Sequence, residues 1–298
     1  MTPPTRAAED RAIWHTFRSH SRTFSLAARL LPRPVRMPVA TLYLFCRAVD
    51  TIADERVLEV GPAQALADVR RLETNLEATL AGRPPPEPMW QRLADVHARF
   101  RLQPGPLYEL TRGATWDLEG RGIQDRRDLI DYSNLVGGSV GAMMLPFLVK
   151  HPEDGAALEA PARSLGIAMQ ITNILRDVGQ DLRELGRVYL PEAALSAQGL
   201  SRADLAAAAP PEGYALLLEE LMETAEGLYA EGFDGIGLLP AQVRAGIYAA
   251  ARMYREIMNE VRARGYDNLT QRAYVPLPRK LRLLLQDDYA RRKQRVKG

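Results

Sequence analysis

Residues 169–181 read MQITNILRDVGQD. Gln170, Asn173, Asp177 and Asp181 fall at i, i+3, i+7 and i+11, while Met169, Ile171, Ile174 and Leu175 fill positions between them. On a helix this is one polar stripe on an otherwise apolar cylinder. A stripe with apolar neighbours predicts a wet cavity inside a helical bundle rather than an outer surface. A second stretch, LYLFCRAVDTIADE at 42–55, sets Asp50 and Asp54 at i and i+4. Two carboxylates at that spacing share a helix face and cost a few tenths of a kcal/mol by repulsion. One such pair is weak evidence, because solvated acidic pairs are common. Here Leu42, Tyr43, Leu44, Phe45, Cys46, Ala48 and Val49 predict burial round most of the helix. Acidic groups in such surroundings need partners, since burying an unpaired charge is very costly.

Hard divalent cations take oxygen ligands, and Mg²⁺ characteristically combines one or two carboxylates with substrate phosphates. Two facing carboxylate clusters therefore suit several Mg²⁺ ions, or Mn²⁺ in their place, held against a diphosphate. Arg47 lies three residues before Asp50 and shares its face; Arg176, Arg183 and Arg187 accompany the second cluster. The planar guanidinium suits phosphate, although each arginine taken alone reads first as a surface ion pair.

The rest of the chain has the same helical character. Ala, Leu, Arg and Glu dominate, and all favour helices. Val39, Leu42, Phe45 and Val49 recur at helical spacing. Proline clusters at Pro32 and Pro34, Pro84 to Pro88, Pro104 and Pro106, and Pro210 and Pro211 predict helix–helix connections. The expected architecture is one all-α domain over 1–298, with about ten helices. The length of 298 residues allows a large core without disulfide or metal staples. A net charge of 39 − 37 = +2 argues against a general nucleic-acid binder. The single Cys46 excludes an intrachain disulfide framework and suits a reducing, cytoplasmic setting. It reads as a small buried residue rather than a nucleophile. No signal peptide is expected in the opening MTPPTRAAEDRAIW. Tyr132 to Val149 is uncharged over 18 residues but carries three glycines and Pro146, so it predicts a buried helix rather than a membrane span. No GxGxxG or GxxxxGK[ST] loop is present. The basic end ARRKQRVKG reads as a solvated tail.

The paired aspartate helices, with TNILRDVGQD followed by GRVYLP, resemble the squalene/phytoene synthase family. So do HSRTFSLAARLLP near the N-terminus, the glycine-rich DYSNLVGGSVGAMM, and ARMYREIMNEVRARGYDNLTQRAYVPLPRKL near the C-terminus. The order matches over nearly the whole chain. The resemblance implies an isoprenoid-synthase-type helical bundle around a central cavity. It implies head-to-head joining of two prenyl diphosphates through a cyclopropyl diphosphate intermediate. Phytoene and dehydrosqualene synthases end by losing a proton, and squalene synthases by accepting hydride from NADPH.

On the same resemblance, Asp50 and Asp54 match the first aspartate motif and Asp177 and Asp181 the second. Asn173 matches a further metal or diphosphate contact and Gln170 a polar neighbour. Ser21 and Thr23, with Arg22 between them, match hydroxyl positions that touch diphosphate. Arg47 matches a diphosphate-contacting arginine, with Arg187 and Arg272 as similar candidates. Tyr43 and Tyr254 match cavity tyrosines, Tyr132 the tyrosine tied to proton removal, and Tyr189 the segment closing over the second site. His20, apart from the resemblance and by its place beside Ser21 alone, is a lesser candidate for touching phosphate. The glycines Gly137, Gly138 and Gly141 read either as a wall for a prenyl tail or as close helix packing.

Some positions depart from the pattern. Thr51 stands where many members carry a second acid, which is squalene-synthase-like. The loop DLRELGR is one residue longer than usual, which puts Arg183 and Arg187 in doubt. Leu135 and Ser133 replace residues common elsewhere. The leading expectation is a Mg²⁺-dependent phytoene synthase using geranylgeranyl diphosphate for carotenoid biosynthesis. The alternatives are a squalene or dehydrosqualene synthase using farnesyl diphosphate, with NADPH in the squalene case (Arg279, Lys280 and Arg282 being candidate phosphate contacts), and a non-catalytic relative serving as an assembly factor. The partners expected are prenyl diphosphates, a membrane surface in peripheral contact, and downstream carotenoid or triterpenoid enzymes.

Overall fold

A computed structural model describes residues 6–283; the basic tail lies outside the described residues. The described chain is helical throughout. Its α-helices are α1 (Arg6–His20), α2 (Arg22–Ala28), α3 (Arg33–Thr51), α4 (Val57–Leu80), α5 (Pro88–Phe100), α6 (Pro104–Leu118), α7 (Arg126–Ser133), α8 (Ser139–Leu148), α9 (Asp154–Leu185), α10 (Glu192–Ala197), α11 (Tyr214–Ile236) and α12 (Ala241–Ala263). The described residues thus hold twelve α-helices, against the ten or so that the sequence predicts. One extended apolar core joins them, from Phe17 and Phe45 to Tyr214 and Met258.

Proline marks the connections at all four expected clusters: α3, α5 and α6 open with proline in the first turn, where the missing N–H costs nothing, and Pro210 and Pro211 lie in the connection before α11. Other prolines lie within helices. Pro38 and Pro161 sit inside α3 and α9. Pro62 follows Gly61, whose φ of 78° kinks α4, a conformation glycine adopts without a Cβ clash.

Two π-turns interrupt the helices. One, Ile52–Arg56, joins α3 to α4 and carries Asp54; the other, Asn134–Gly138, joins α7 to α8. Such widened turns concentrate at functional sites. The uncharged run is therefore not one straight helix, and no described helix is long and apolar enough to cross a membrane.

The long α9 is the central element, packed on α8, α11, α12 and the second π-turn. Backbone contact fixes this packing. A Cβ on Gly137 would lie 2.3 Å from the Gly166 carbonyl oxygen, and one on Gly141 would lie 2.1 Å from that of Ala162. Close packing thus accounts for both glycines, although both also border the cavity. At its far end α9 stops on Gly186, left-handed at φ 63°, a common helix terminator.

Candidate active site

Two cavities meet between α3 and α9. The larger, about 500 Å³, is lined mainly by apolar groups, among them Ala27, Leu31, Val140, Met144, Leu165 and Ile247. The smaller, about 250 Å³, is lined by Asp50, Asp54, Asp117, Tyr132, Asp177, Asp181 and Tyr189. Asp50, Gln170, Asn173 and Arg176 border both. The polar stripe of α9 therefore faces an internal space, as its pattern predicts. Leu158 and Leu185 mark the two ends of the combined space along α9, about 40 Å apart at 1.5 Å per residue.

The acidic groups divide into two electrostatic states. Burial pushes Asp50 up to about 7, with the Asp54 charge adding to it. Burial also pushes Asp181 up to about 7, and the charges of Asp177 and Asp54 add to that. Asp54 is raised as well, chiefly by burial. Asp54 acting on Asp181 is electrostatic contact between the two aspartate helices. Asp177 behaves oppositely. Burial opposes its ionisation, but two guanidiniums outweigh that and hold it below the usual carboxylate range. Arg176 donates to Asp177 at 2.8 and 2.6 Å, and Arg272 at 2.8 and 3.2 Å.

The donor set fits a hard cation. Asn173 gives its amide N–H to Gln170 Oε1 at 3.2 Å. Its Oδ1 is buried without a hydrogen-bond partner, which is costly unless a ligand satisfies it. Asp50, Asp54 and Asp181 are oxygen donors whose mutual repulsion a cation would relieve. Among the described residues, no three acidic, histidine or cysteine side chains converge on one point. That spacing suits ions completed by substrate phosphate oxygens rather than an all-protein cage.

The remaining expected residues are distributed as follows. Ser21 caps α2, its Oγ accepting from the Phe24 N–H at 3.2 Å. Thr23 Oγ1 accepts from Lys280 at 2.8 Å. Both border the larger cavity, as does His20, whose ring nitrogen lies 2.9 Å from the Thr16 carbonyl. Arg22 opens α2; its side chain lies outside the described residues. Tyr43 and Tyr254 border the larger cavity. Tyr43 packs on Phe17 with centroids 4.8 Å apart, and Tyr254 stacks on Phe24 at 4.8 Å. Arg47 pairs with Glu55, so its guanidinium is engaged at the rim. Cys46 borders the larger cavity rather than being fully enclosed, and burial keeps its thiol protonated. Of the basic stretch near the C-terminus, Arg279 bonds Glu256 at 2.7 Å and Lys280 bonds Thr23.

The doubt attached to the longer loop does not extend to where Arg187 lies. Its Nη1 donates to Asp54 Oδ1 at 2.8 Å and its Nη2 to the Ala53 carbonyl at 2.6 Å. Arg183 instead bonds the Leu269 carbonyl. Sequence reasoning misses Asp117. It accepts from Tyr132 and from Tyr189, each at 2.9 Å. The available signal is the one that marks Asp50: a lone acid among Leu110, Ala114, Trp116 and Leu118 on a buried helix face.

An all-helical bundle whose facing acidic helices open onto an apolar cleft is the architecture of isoprenoid synthases. The family model for squalene/phytoene synthase matches residues 17–279, and the chain belongs to that family. It is 41% identical to the phytoene synthase of Rhodobacter capsulatus over 271 residues, covering 90% of this chain and 77% of that one. It is 36% identical to the phytoene synthase of Thermus thermophilus, covering 92% and 90%. Among solved structures, a dehydrosqualene synthase in complex with a ligand superposes with a TM-score of 0.85 at 32% identity, over 95% and 96% of the two chains. A squalene synthase from Alicyclobacillus acidocaldarius superposes at 0.76 and 24% identity, over 87% and 94%, and supports the fold alone.

Proposed function

We propose that this protein is a phytoene synthase, joining two geranylgeranyl diphosphates head to head for carotenoid biosynthesis. The observation that carries this reading is the shared wall. Asp50, Gln170, Asn173 and Arg176 border the acid-lined and the apolar cavity at once, so a diphosphate at one is continuous with a prenyl tail in the other. The phytoene synthase relatives support the choice of product.

Asp50, Asp54, Asn173, Asp177 and Asp181 would hold Mg²⁺, or Mn²⁺ in its place, which when bound would neutralise the departing diphosphate. Arg176 and Arg272, already converged on Asp177, would add donors to the diphosphate oxygens. Ser21 and Thr23, which border the larger cavity, would contact the diphosphate, with Arg22 and Arg47 as further candidates. Val140, Met144 and Leu165 would exclude water from the carbocation. Tyr132 would take the proton whose loss ends the reaction. The hydrocarbon product is consistent with a cytoplasmic protein touching a membrane peripherally and passing product to downstream carotenoid enzymes.

The test is an assay of purified protein with Mg²⁺ and either geranylgeranyl or farnesyl diphosphate, with and without NADPH. The expected result is a forty-carbon hydrocarbon indifferent to NADPH. A thirty-carbon product in greater yield would make the chain a dehydrosqualene synthase, or a squalene synthase if NADPH adds two hydrogens. No diphosphate release from either substrate would leave the assembly-factor reading.

A further inference from the structure

Asp117 lies in the last turn of α6, outside both aspartate motifs. Its carboxylate is 9% exposed, and each oxygen takes a different tyrosine. Tyr132, from α7, donates to Oδ2 at 2.9 Å. Tyr189, from the segment after α9, donates to Oδ1 at 2.9 Å. The two rings stack, with centroids 5.0 Å apart and planes 21° apart. Arg187 Nη1 stands 3.9 Å from Oδ2. Trp116, the preceding residue, packs on Tyr132 at 5.9 Å. Asp117, Tyr132 and Tyr189 all border the acid-lined cavity.

A phenol has one proton to give. Both tyrosines place theirs on Asp117, so each oxygen has only lone pairs for anything else it meets. A lone pair is what accepts a proton from a carbocation. Yet a phenol that gains a proton becomes cationic unless it sheds its own. For Tyr132, Asp117 is the base already hydrogen-bonded in the required direction.

We propose that Asp117 is the terminal proton acceptor of the reaction, acting through Tyr132. The inference rests on the reading of the chain as a phytoene synthase. In the last step a C–H bond beside the cationic carbon breaks, and its electron pair becomes the new double bond. The proton bonds to the Tyr132 oxygen. The original Tyr132 O–H breaks, its electron pair stays on oxygen, and its proton bonds to Asp117 Oδ2. A cation and a carboxylate become a neutral alkene and a neutral carboxylic acid. Tyr132 emerges unchanged. Tyr189 holds the other carboxylate oxygen, Oδ1, and the Arg187 guanidinium stands near Oδ2. Burial, which raises Asp117 to about 6 against the pull of Arg187, agrees with a group that accepts a proton readily.

The test uses the full chain with Mg²⁺ and geranylgeranyl diphosphate. Diphosphate release and forty-carbon hydrocarbon are measured separately, so that the ratio of hydrocarbon to diphosphate is read. Asp117→Asn keeps an acceptor oxygen but cannot take up a proton. Its ratio should fall about 100-fold, the ordinary contribution of a positioned base. The missing product should appear as forty-carbon alcohols from capture by water. Tyr132→Phe should give the same shift, the double variant no further shift, and Asp117→Glu a partial recovery. A purely structural role would lower diphosphate release and hydrocarbon together. An unchanged ratio in Asp117→Asn overturns the proposal. Should that variant not fold, an unchanged ratio in Tyr132→Phe overturns it equally. If the unaltered protein releases no diphosphate from prenyl substrates, the functional reading fails instead.

Discussion

Arg187 ties the two aspartate helices together: its guanidinium spans Asp54 Oδ1 at 2.8 Å and the Ala53 carbonyl at 2.6 Å. It follows Gly186, whose left-handed turn ends α9, so the end of one aspartate helix anchors the π-turn of the other. Arg187→Ala should lower kcat/KM about 100-fold, the scale of losing a preorganised charged donor. Arg187→Lys should recover only part, because a point charge cannot serve both acceptors at once. Steady-state kinetics on the three proteins measure this. A lysine variant equal to the parent would remove the argument.

The raised carboxylates give the metal-free protein a pH dependence of definite sign. Asp50 and Asp181 sit at about 7 in the folded state and about 3.9 when unfolded. The folded state binds more protons between those values, so their contribution is complete below about 4 and is lost as pH rises through about 7. Asp177, held low, contributes above about 4 and loses that contribution as pH falls further. With chelator present, Tm should therefore drop between pH 5.5 and 8. Mg²⁺ with inorganic diphosphate should raise Tm more at pH 8 than at pH 5.5, by about 4 °C or more at the higher pH. Asp181→Asn should flatten the chelated profile while abolishing turnover. Thermal melts at the two pH values decide it, and equal stabilisation at both would contradict the acid-cluster account.

Gly179 on α9 has no room for a side chain. A Cβ there would meet the Leu269 carbonyl oxygen at 1.9 Å, and its N–H donates to the Asn268 carbonyl at 3.1 Å. The same segment delivers Arg272 to Asp177. Gly179→Ala must push that segment away, at a cost of about 1–3 kcal/mol for overpacking. Its Tm should fall by several degrees, with activity falling alongside as Arg272 is displaced. Arg272→Ala should lower activity with little change in Tm, since the guanidinium is largely exposed. Melting and turnover measured on both variants separate the two effects; a fully stable, active Gly179→Ala would refute the tight contact.

The legibility of this chain in its sequence follows from periodicity. The stripe Gln170, Asn173, Asp177 and Asp181 is legible because an α-helix maps spacing onto direction. Asp54 follows from the same rule, although a π-turn carries it; both Asp50 and Asp54 border the same cavity nonetheless. What spacing cannot give is the long-range pairing. Asp117 meets Tyr189 across 72 positions and Tyr132 across 15, and no local pattern encodes that meeting. Arg47 shows the converse. Its spacing from Asp50 is helical, yet its guanidinium goes to Glu55, because a long side chain has several partners within reach.

Val136, Val140 and Met144 form one row of wall residues at i, i+4 and i+8 beside the apolar cavity. Their neighbours Gly137 and Gly141 are pinned to α9 by backbone contact, so this wall cannot retreat from a larger side chain. Val140→Phe should therefore fill space that a prenyl tail needs rather than be absorbed by movement of α8. The longer substrate should suffer more: the ratio of kcat/KM for geranylgeranyl over farnesyl diphosphate should fall at least about tenfold, the scale of excluding a methylene or two from an apolar pocket. Diphosphate release with the shorter substrate should persist, since Val140 borders the apolar cavity and is not among the groups around the acid-lined one. Competition between the two substrates in one vessel measures the ratio directly. An unchanged ratio would mean that the tail runs along another wall, and Leu31 and Ile247 would be the next positions to fill.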